Sequence, residues 1–295
     1  IKMNCGYVAF IGQPNVGKST LMNHLLGQKI SITSRKPQTT RHQILGIKTS
    51  EKGQAIFMDT PGMHESSKKA FNRYLNRTAD TTLLGVDLVV WLIDTLAWQD
   101  YDEVIFEKLK KAGLPVILAV NKIDRVKNKE DIFAFFKDAQ ERFPFKEIVP
   151  ISALKQTNLE VIDGLMMDLL PERNIIYPED QITDRPERFL ASEIIREKLT
   201  RRLGDELPYA LTVEIEKYEE LPNITKIYGL IWVERDTQKN IVIGKQGEML
   251  KSIGMEARKD IEKLIDAKVY LHLWVKVKSG WSDNERALQS LGFKE

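Results

Sequence analysis

The sequence predicts an α/β protein with a doubly wound, mostly parallel sheet of the P-loop type, followed by a smaller α+β domain. Residues 7–170 alternate apolar, β-prone runs with segments of helical spacing, which is typical of a parallel sheet covered by helices. The second half changes to the order α-β-β-α-α-β. We therefore predict a first domain over residues 1–172, a proline-rich and charged linker over 173–186, and a second domain over 187–295.

The first element is a strand, a glycine-rich loop and a helix in direct succession. The apolar run Tyr7–Ile11 precedes Gly12-Gln13-Pro14-Asn15-Val16-Gly17-Lys18-Ser19, which matches the phosphate-binding pattern G-x-x-x-x-G-K-[ST]. The following run, 19–26, has helical spacing. Glycines let backbone N–H groups turn around an anion, and the helix N-terminus adds a positive dipole end. We expect Lys18 to reach the β- and γ-phosphates and Ser19 to bind Mg²⁺.

A polar loop and two strands follow. Residues 35–42 are polar, contain a proline and have no helical period, so we predict a switch loop in which Thr40 closes on Mg²⁺ and the γ-phosphate. Two strand-like runs come next, the second ending in Asp59-Thr60-Pro61-Gly62. This D-x-x-G pattern predicts that Asp59 holds Mg²⁺ through a water and that the Gly62 N–H contacts the γ-phosphate.

The next strands carry the residues expected to read the base. The apolar run 115–120 ends in Asn121-Lys122-Ile123-Asp124, and the short run 147–151 ends in Ser152-Ala153-Leu154. A carboxylate at Asp124 accepts from both the ring N–H and the exocyclic amine of guanine, a donor pair that adenine lacks. All these motifs follow strand ends, where open α/β sheets bind ligands. The nucleotide is therefore expected to be GTP or GDP.

The second domain contains a G-x-x-G pattern between two helical segments. The pattern is Ile243-Gly244-Lys245-Gln246-Gly247, with Lys251 one turn further on. We predict strands over 209–216, 227–234 and 268–278 and helices over 187–203 and 255–265. The tryptophans Trp232, Trp274 and Trp281 are candidate base platforms; for Trp232 and Trp274, which lie in strand-like apolar runs, the favoured expectation is packing in the core.

These motifs resemble two known families. The first half is similar to P-loop GTPases in all its motifs, and the second half resembles a KH domain, in which the G-x-x-G loop clamps about four nucleotides of single-stranded RNA. Together they resemble the Era family of bacterial GTPases over nearly the whole chain. The expected nucleotide contacts are Gly12, Gln13, Pro14, Asn15, Val16, Gly17, Lys18, Ser19, Thr20, Asp59, Thr60, Pro61, Gly62, Met63, Asn121, Lys122, Ile123, Asp124, Ser152, Ala153 and Leu154.

The resemblance implies a GTP-hydrolysing switch that binds small-subunit ribosomal RNA near its 3′ end and assists 30S assembly. It also implies a cytosolic protein with some peripheral association with the inner membrane, and we expect a monomer. Many GTPases orient the attacking water with a glutamine directly after D-x-x-G; Met63 stands there, so we expect slow intrinsic hydrolysis. In similar GTPases the residue at Asn15 helps to hold K⁺ beside the phosphates; the alternative is that Asn15 only stabilises the turn.

Composition limits the kinds of site and partner that this protein is expected to have. The 44 basic and 42 acidic residues nearly balance, so net charge indicates no partner. One cysteine, Cys5, cannot form an internal disulfide, and the four histidines show no zinc spacing. The first residues, 1–4, contain no apolar core of a secretory leader. Two alternatives stay open: a GTPase that drives RNA modification, which needs a redox or transfer domain, and an RNA-binding scaffold with a regulatory nucleotide site.

Overall fold

The computed structural model describes residues 2–35, 39–61, 82–204 and 207–293, and these fall into two compact units. The first unit contains the described residues of 2–31, 40–61 and 82–184. The second contains residues 32–35, 39, 185–204 and 207–293. No helix in the described parts of the chain is long and apolar enough to cross a bilayer.

The first unit is built on a sheet with the strand order β2-β3-β1-β4-β5-β6. Its strands are β1 Met3–Ile11, β2 Ile44–Ser50, β3 Gly53–Asp59, β4 Leu88–Ile93, β5 Val116–Val120, β6 Glu147–Pro150 and β7 Glu172–Arg173. Its described helices are α1 Lys18–Leu26, α2 Asp100–Ala112, α3 Lys129–Arg142 and α4 Leu159–Leu169. β2 runs antiparallel to β3 and β7 antiparallel to β1, while the other pairs are parallel. The predicted fold class is confirmed.

Burial on both faces explains why the central strands are continuously apolar. Every residue of β3, β4 and β5 is buried. One face packs against α1 and α4, and the other against α2 and α3. Because β1, β3, β4, β5 and β6 are parallel, their carboxyl ends lie along one edge of the sheet, and the loops that carry the predicted motifs all leave from that edge.

The predicted linker is attached to the first unit. The pair Met3 and Arg173 joins β7 to β1, the backbone N–H groups of Ile176 and Tyr177 donate to Gln54 Oε1 at 3.0 Å, and the Ile47 N–H donates to the Ile182 carbonyl at 2.9 Å. Residues 173–184 of the predicted linker therefore pack as part of the first unit, and the predicted domain bounds stay a prediction. The prolines of the linker lack a donor, but the backbone groups between them pair with an edge strand and a buried amide.

The second unit is a three-stranded sheet with two long helices on one face. In chain order it contains α5 Glu187–Arg202, β8 Leu211–Leu221, β9 Ile224–Val233, α6 Asp236–Ile243, α7 Glu248–Ile265, β10 Val269–Val277 and α8 Glu285–Ser290. The strand order is β10-β9-β8, with β8 antiparallel and β10 parallel to β9. α5 and α7 pack on the sheet around one apolar core. The order α-β-β-α-α-β is as predicted, with α8 added.

A short segment outside this order also belongs to the second unit. The backbone N–H of Thr33 donates to Glu197 Oε2 at 2.8 Å, and Arg201 Nε donates to the Thr33 carbonyl at 3.0 Å. Glu197 is fully buried in α5, so its carboxylate needs such donors to offset the cost of desolvation. The residues just before the predicted switch loop are thus part of the packing of α5.

Two predicted element starts in this unit are wrong, and two further elements were not predicted. Residues 209–210 lie in a 3₁₀ turn, Leu207–Ala210, and the strand begins at Leu211, because Pro208 cannot donate to a ladder. α7 begins at Glu248, seven residues before its predicted start; Gly254 lowers the helix propensity of its first half. The turn Trp281–Asp283 and helix α8 were not predicted.

The tryptophans of the second unit also differ from expectation. Trp232 and Trp274 are only half-buried, because strand alternation turns them to the face opposite α5 and α7. Trp281, a candidate base platform, is fully buried, stacks on Phe293 at 6.1 Å and donates its indole N–H to the Ala210 carbonyl at 3.2 Å. Trp281 is therefore a core residue.

Trp91 is the largest fully buried side chain of the first unit and tests its core. It packs edge-on to Phe106 at 4.8 Å between ring centroids, and its indole N–H has no hydrogen-bond partner among the described residues. We expect Trp91→Ala to lower the free energy of unfolding by about 3–5 kcal/mol. Trp91→Phe should cost much less, because it also removes an unsatisfied donor. The control Phe133→Ala, at a side chain 72% exposed, should change stability by less than about 0.5 kcal/mol. Chemical denaturation measures all three, and equal losses for the Trp91 variants would contradict this reasoning.

Candidate functional site: a guanine-nucleotide pocket and a G-x-x-G groove

The phosphate loop is closed so tightly that two of its positions require glycine. Gly12 and Gly17 have φ of 148° and 107°, which disfavour any other residue. A Cβ on Gly12 would lie 2.4 Å from the Leu92 carbonyl oxygen, and a Cβ on Gly17 would lie 2.1 Å from Asn121 Nδ2. The loop between β1 and α1 is thus fixed by neighbouring strand ends.

Lys18 begins α1 and lies beneath this loop. Its side chain is buried, and its Nζ donates to the carbonyls of Gly12 at 3.1 Å and Gln13 at 2.8 Å. Burial lowers the pKa of Lys18 to about 8, although the nearby carboxylates of Asp59 and Asp94 oppose this shift. A phosphate in the loop would favour the charged form of Lys18 far more strongly than two carbonyls can.

A cluster of small oxygen-bearing side chains lies beside Lys18. Ser19 Oγ donates to Asp59 Oδ2 at 2.6 Å and lies 2.9 Å from Thr40 Oγ1. Ser31 also donates its hydroxyl to Asp59. The predicted metal ligands Ser19, Thr40 and Asp59 are thus together, and Ser31 joins them without any sequence pattern that could have indicated it.

Asp59 has the environment of a cation ligand. It is fully buried, and burial raises the pKa of its carboxyl group, opposed by the hydrogen bonds from Ser19 and Ser31. Its Oδ1 has no hydrogen-bond partner among the described residues. A buried carboxylate oxygen without a donor, next to two hydroxyls, fits the hard oxygen ligands that Mg²⁺ prefers.

Asn121 connects three loops of the site. It is buried, its Nδ2 donates to the Val16 carbonyl at 2.7 Å, and its Oδ1 accepts from the Ala153 N–H at 2.9 Å. One amide therefore ties the phosphate loop to the loops after β5 and β6. The sequence pattern indicated a base reader here, while the geometry gives Asn121 a positioning role.

Lys122 reinforces the same arrangement. Its Nζ donates to the Asn15 carbonyl at 2.8 Å and forms an ion pair with Asp94 at 2.6 Å. Asp94 follows β4, and we did not predict it, although its place at a strand end was a usable signal. Asn15 has a left-handed backbone with φ of 66°, a conformation in which asparagine is enriched. The turn-stabilising interpretation of Asn15 is thus consistent with its geometry.

Asp124 lies at the open end of the site, and a hydrogen bond orients its carboxylate. Its side chain is exposed, and Ser152 Oγ donates to its Oδ1 at 2.6 Å. This hydrogen bond, helped by Arg125 and Lys155, lowers the pKa of Asp124, so the carboxylate is ionised and able to accept. Ser152 is fully buried and takes its position from the end of β6.

The other predicted contacts line the same edge of the sheet. Thr60 is buried and donates its hydroxyl to the Phe10 carbonyl at 3.0 Å, whereas Leu154 is 67% exposed. Of the remaining described positions, Thr20 lies in the first turn of α1 and Ile123 begins a 3₁₀ turn. The others are on the loops around these groups: Gln13, Pro14, Val16, Pro61 and Ala153. Gly62 and Met63 lie outside the described residues.

The G-x-x-G segment forms a tight connection between α6 and α7. Gly244 has φ of 74°, and a Cβ there would lie 2.6 Å from Met249 Cβ, so this glycine is needed for packing. Gln246 and Gly247 have φ of 51° and 78°, and a Cβ on Gly247 would meet nothing within 4 Å. The second glycine therefore faces open space, as a position that a ligand backbone approaches would.

A groove of about 340 Å³ begins at Gly247. It is lined by Gly247, Leu250, Lys251, Gly254, Met255, Arg258, Leu271, His272 and Leu273. Of the predicted RNA contacts, Gly247 and Lys251 line this groove, while Lys245 and Gln246 are exposed beside it and Ile243 is half-buried at the end of α6. Arg258 and His272 belong to the groove and were missed, because they are far from the glycines in sequence.

Comparison with known proteins finds a matching family for each half of the chain. Residues 7–122 match a family described as 50S ribosome-binding GTPase, and residues 206–282 match the KH domain. The chain is 57% identical over 289 residues to GTPase Era of Pseudomonas fluorescens, covering 98% of this chain and 96% of that one. It is 55% identical to GTPase Era of Marinobacter nauticus, covering 99% and 95%. The chain belongs to the GTPase Era family. It is a GTPase with a C-terminal KH domain.

Two solved Era structures have the same fold as this chain. One is Era in complex with MgGDPNP and nucleotides 1506–1542 of 16S ribosomal RNA, with a TM-score of 0.96, 40% identity, and coverage of 99% of this chain and 100% of that one. The other is a variant of Aquifex aeolicus Era bound to GDP and AlF4⁻, with the same TM-score, identity and coverage. The predicted family is confirmed.

The predicted base-reading role of Asp124 can be tested directly in this Era-family GTPase. Asp124→Asn should lower the affinity for GTP roughly 10- to 100-fold, because an amide cannot accept from both guanine donors. The same variant should bind xanthosine triphosphate better than the parent, since the exchanged side chain pairs with the exchanged ring edge. Titration with fluorescent nucleotides measures both affinities.

Ser152→Ala is the matched control for this change. It removes the hydrogen bond that orients Asp124 but keeps the carboxylate. The affinity for GTP should therefore fall, while the affinity for xanthosine triphosphate should not rise. Unchanged GTP affinity in Asp124→Asn would remove the guanine-reading assignment.

Proposed function

We propose that this chain is a GTP-hydrolysing switch that binds 16S ribosomal RNA near its 3′ end through the KH groove and assists assembly of the 30S subunit. The observation that carries the proposal is the presence, in one chain, of the described guanine-nucleotide pocket and an open G-x-x-G groove. The Era structure that contains MgGDPNP and 16S rRNA nucleotides, 40% identical to this chain, supports the same pairing of ligands.

In this proposal the phosphate loop binds GTP and three oxygen ligands hold magnesium. Lys18 exchanges its two carbonyl partners for the β- and γ-phosphates, and the backbone of Gly12–Ser19 donates to the same oxygens. Ser19, Thr40 and Asp59 would hold Mg²⁺, with Asp59 acting through a water. The ion, when bound, neutralises charge that develops on the phosphate oxygens during transfer.

Hydrolysis then depends on positioning. The sequence has Met63 where many GTPases have a glutamine, and a thioether can neither donate nor usefully accept a hydrogen bond. We infer that Lys18, the magnesium site and the Gly62 N–H supply charge stabilisation, and that intrinsic turnover is slow until RNA or another partner is bound.

The KH groove is proposed to hold a short single-stranded segment. The backbone can approach Gly247 because no side chain blocks it, and Lys251 and Arg258 provide positive charge along the groove. Leu250, Met255 and Leu271 form an apolar floor on which bases can pack.

The two alternatives have less support. A modification enzyme needs a redox or transfer domain, and the described residues are accounted for by the nucleotide and KH units. A scaffold with an inactive site does not fit the buried Lys18 and Asp59, whose desolvation would be a cost without a use.

The family resemblance further supports a cytoplasmic location with peripheral association with the inner membrane, and a monomer.

GTP turnover with and without RNA of 16S nucleotides 1506–1542 tests the proposal as a whole. We expect turnover in the absence of RNA and a change in rate when RNA is added. Gly247→Asp should abolish RNA binding, because a carboxylate would stand where a phosphate must lie, while turnover without RNA is kept.

Gly280→Asp is the matched control for backbone strain. Gly280 also has positive φ, 66°, and a Cβ there would meet nothing within 4 Å, but this glycine lies outside the groove. The Gly280→Asp variant should therefore bind RNA normally. Gly244→Asp is a poorer test, since it would also clash with Met249. Full RNA affinity in Gly247→Asp would overturn the KH assignment.

The potassium hypothesis has its own test. If Asn15 helps to hold K⁺ beside the phosphates, hydrolysis should be faster in potassium than in sodium at equal ionic strength, and Asn15→Ala should remove the difference. Asn15→Gly separates the two interpretations, because glycine keeps the left-handed turn and lacks the amide. If Asn15→Gly retains the potassium preference, or the parent shows none, Asn15 has only the turn-stabilising role.

A further inference from the structure

The sheet of the second unit has an exposed face with aromatic side chains in a row. Tyr228 on β9 and Tyr270, His272 and Trp274 on β10 lie on the face opposite α5 and α7; we call these four residues the aromatic row. Tyr270 is 46% exposed, His272 is exposed, and Tyr228 and Trp274 are half-buried. This row takes no part in the nucleotide site or in the apolar core.

The rings of the aromatic row form a continuous series. Ring centroids are 6.1 Å apart for Tyr228 and Tyr270, 6.2 Å for Tyr228 and His272, and 5.3 Å for His272 and Trp274. Alternate residues on one strand are about 6.7 Å apart, so Tyr270, His272 and Trp274 present one ring after another along β10. Such a series can accept successive splayed bases, as aromatic side chains on other RNA-binding sheets do.

The face of the aromatic row carries several lysines together with the carboxylates Glu214 and Glu219. Lys226 is the cross-strand neighbour of Tyr270, and Lys276 follows Trp274 on the same face. Neither lysine has an ion-pair partner in the described part of the chain. Lys217, which lies 5.8 Å from the Tyr228 ring centroid, is already paired with Glu219. Two lysines are thus available for phosphates beside exposed rings.

The aromatic row is also continuous with the G-x-x-G groove. His272 lines that groove and is at the same time a member of the row, because β10 is the edge strand of the sheet. An RNA segment that leaves the groove across the β10 edge meets the aromatic row next.

We propose that the aromatic row is a second RNA subsite, on which bases that continue from the G-x-x-G groove stack while Lys226 and Lys276 contact their phosphates. The inference rests on the proposed RNA-binding function and extends it from about four nucleotides to a longer single-stranded segment. The occupant is a continuation of the same RNA strand, and a protein partner on this face would be a different result.

The experiment compares single-stranded oligoribonucleotides of about four and about eight nucleotides from the 3′ end of 16S rRNA, by fluorescence anisotropy. The intact chain should bind the longer RNA more tightly. Tyr270→Ala should lower the affinity for the longer RNA by roughly 5- to 150-fold, since stacking on an aromatic ring contributes about that factor per base. The affinity for the shorter RNA should not change. Trp274→Ala should act in the same way, and Trp274→Phe should restore most of the affinity.

Two further variants separate stacking from other effects. Changing Lys226 and Lys276 together to Gln should lower the slope of log affinity against log salt by about 1.4 for the longer RNA, or about 0.7 for each phosphate that a lysine no longer neutralises. Phe133→Ala, an exposed aromatic of the first unit, is the control and should change nothing. Thermal unfolding of each variant checks that the fold is kept.

The outcomes distinguish this inference from the function on which it rests. If the intact chain binds neither RNA, the proposed function fails. If both RNAs bind in a way that Gly247→Asp abolishes, but Tyr270→Ala and Trp274→Ala leave the longer RNA unaffected, only the second subsite is overturned, and the face then belongs to another partner.

Discussion

The nucleotide site depends on the hydrogen bonds of one buried amide. Asn121 donates to the Val16 carbonyl and accepts from the Ala153 N–H, so it joins the phosphate loop to the loop that backs the base. Its Nδ2 also occupies the space into which any side chain at position 17 would project. The glycine of the phosphate loop and the asparagine of the base-reading motif are therefore one structural requirement, although they lie far apart in the sequence.

Around this fixed frame the site contains charges that the surrounding protein only partly satisfies. Lys18 and Asp59 are both buried. Burial lowers the pKa of Lys18 and raises the pKa of Asp59, so it favours the neutral form of each. Fully desolvated charges are costly unless they are paired, and the phosphates and the magnesium ion are the partners that would complete them. Part of the binding free energy would therefore come from pairing these two poorly solvated groups. This also explains why Asp59 keeps one oxygen without a donor among the described residues while Ser19 and Ser31 satisfy the other.

The sequence predicted the elements of this site well where a chemical requirement fixes a short pattern. The strand–loop–helix around Lys18 and the strand before Asn121 both follow from local periodicity and motif spacing. Asp94 was missed although its place after a strand end was a usable signal. The sequence could not predict Ser31, which acts through a contact with a residue distant in sequence. The same limit applies to Trp232 and Trp274: an apolar strand shows its alternation, but which face is covered depends on where α5 and α7 pack.

The two glycine loops of the molecule solve the problem of phosphate binding in different ways. At Gly12 and Gly17 a Cβ would meet backbone or amide atoms within 2.4 Å, so neighbouring strand ends enclose the phosphate loop. A Cβ on Gly247 would meet nothing within 4 Å, so the second loop has open space beside it. Enclosed donors in a low-dielectric site give strong, salt-insensitive interactions, whereas exposed lysines near Gly247 give weaker ones that salt screens. Affinity for RNA must then come from contacts spread along the strand rather than from one deep pocket.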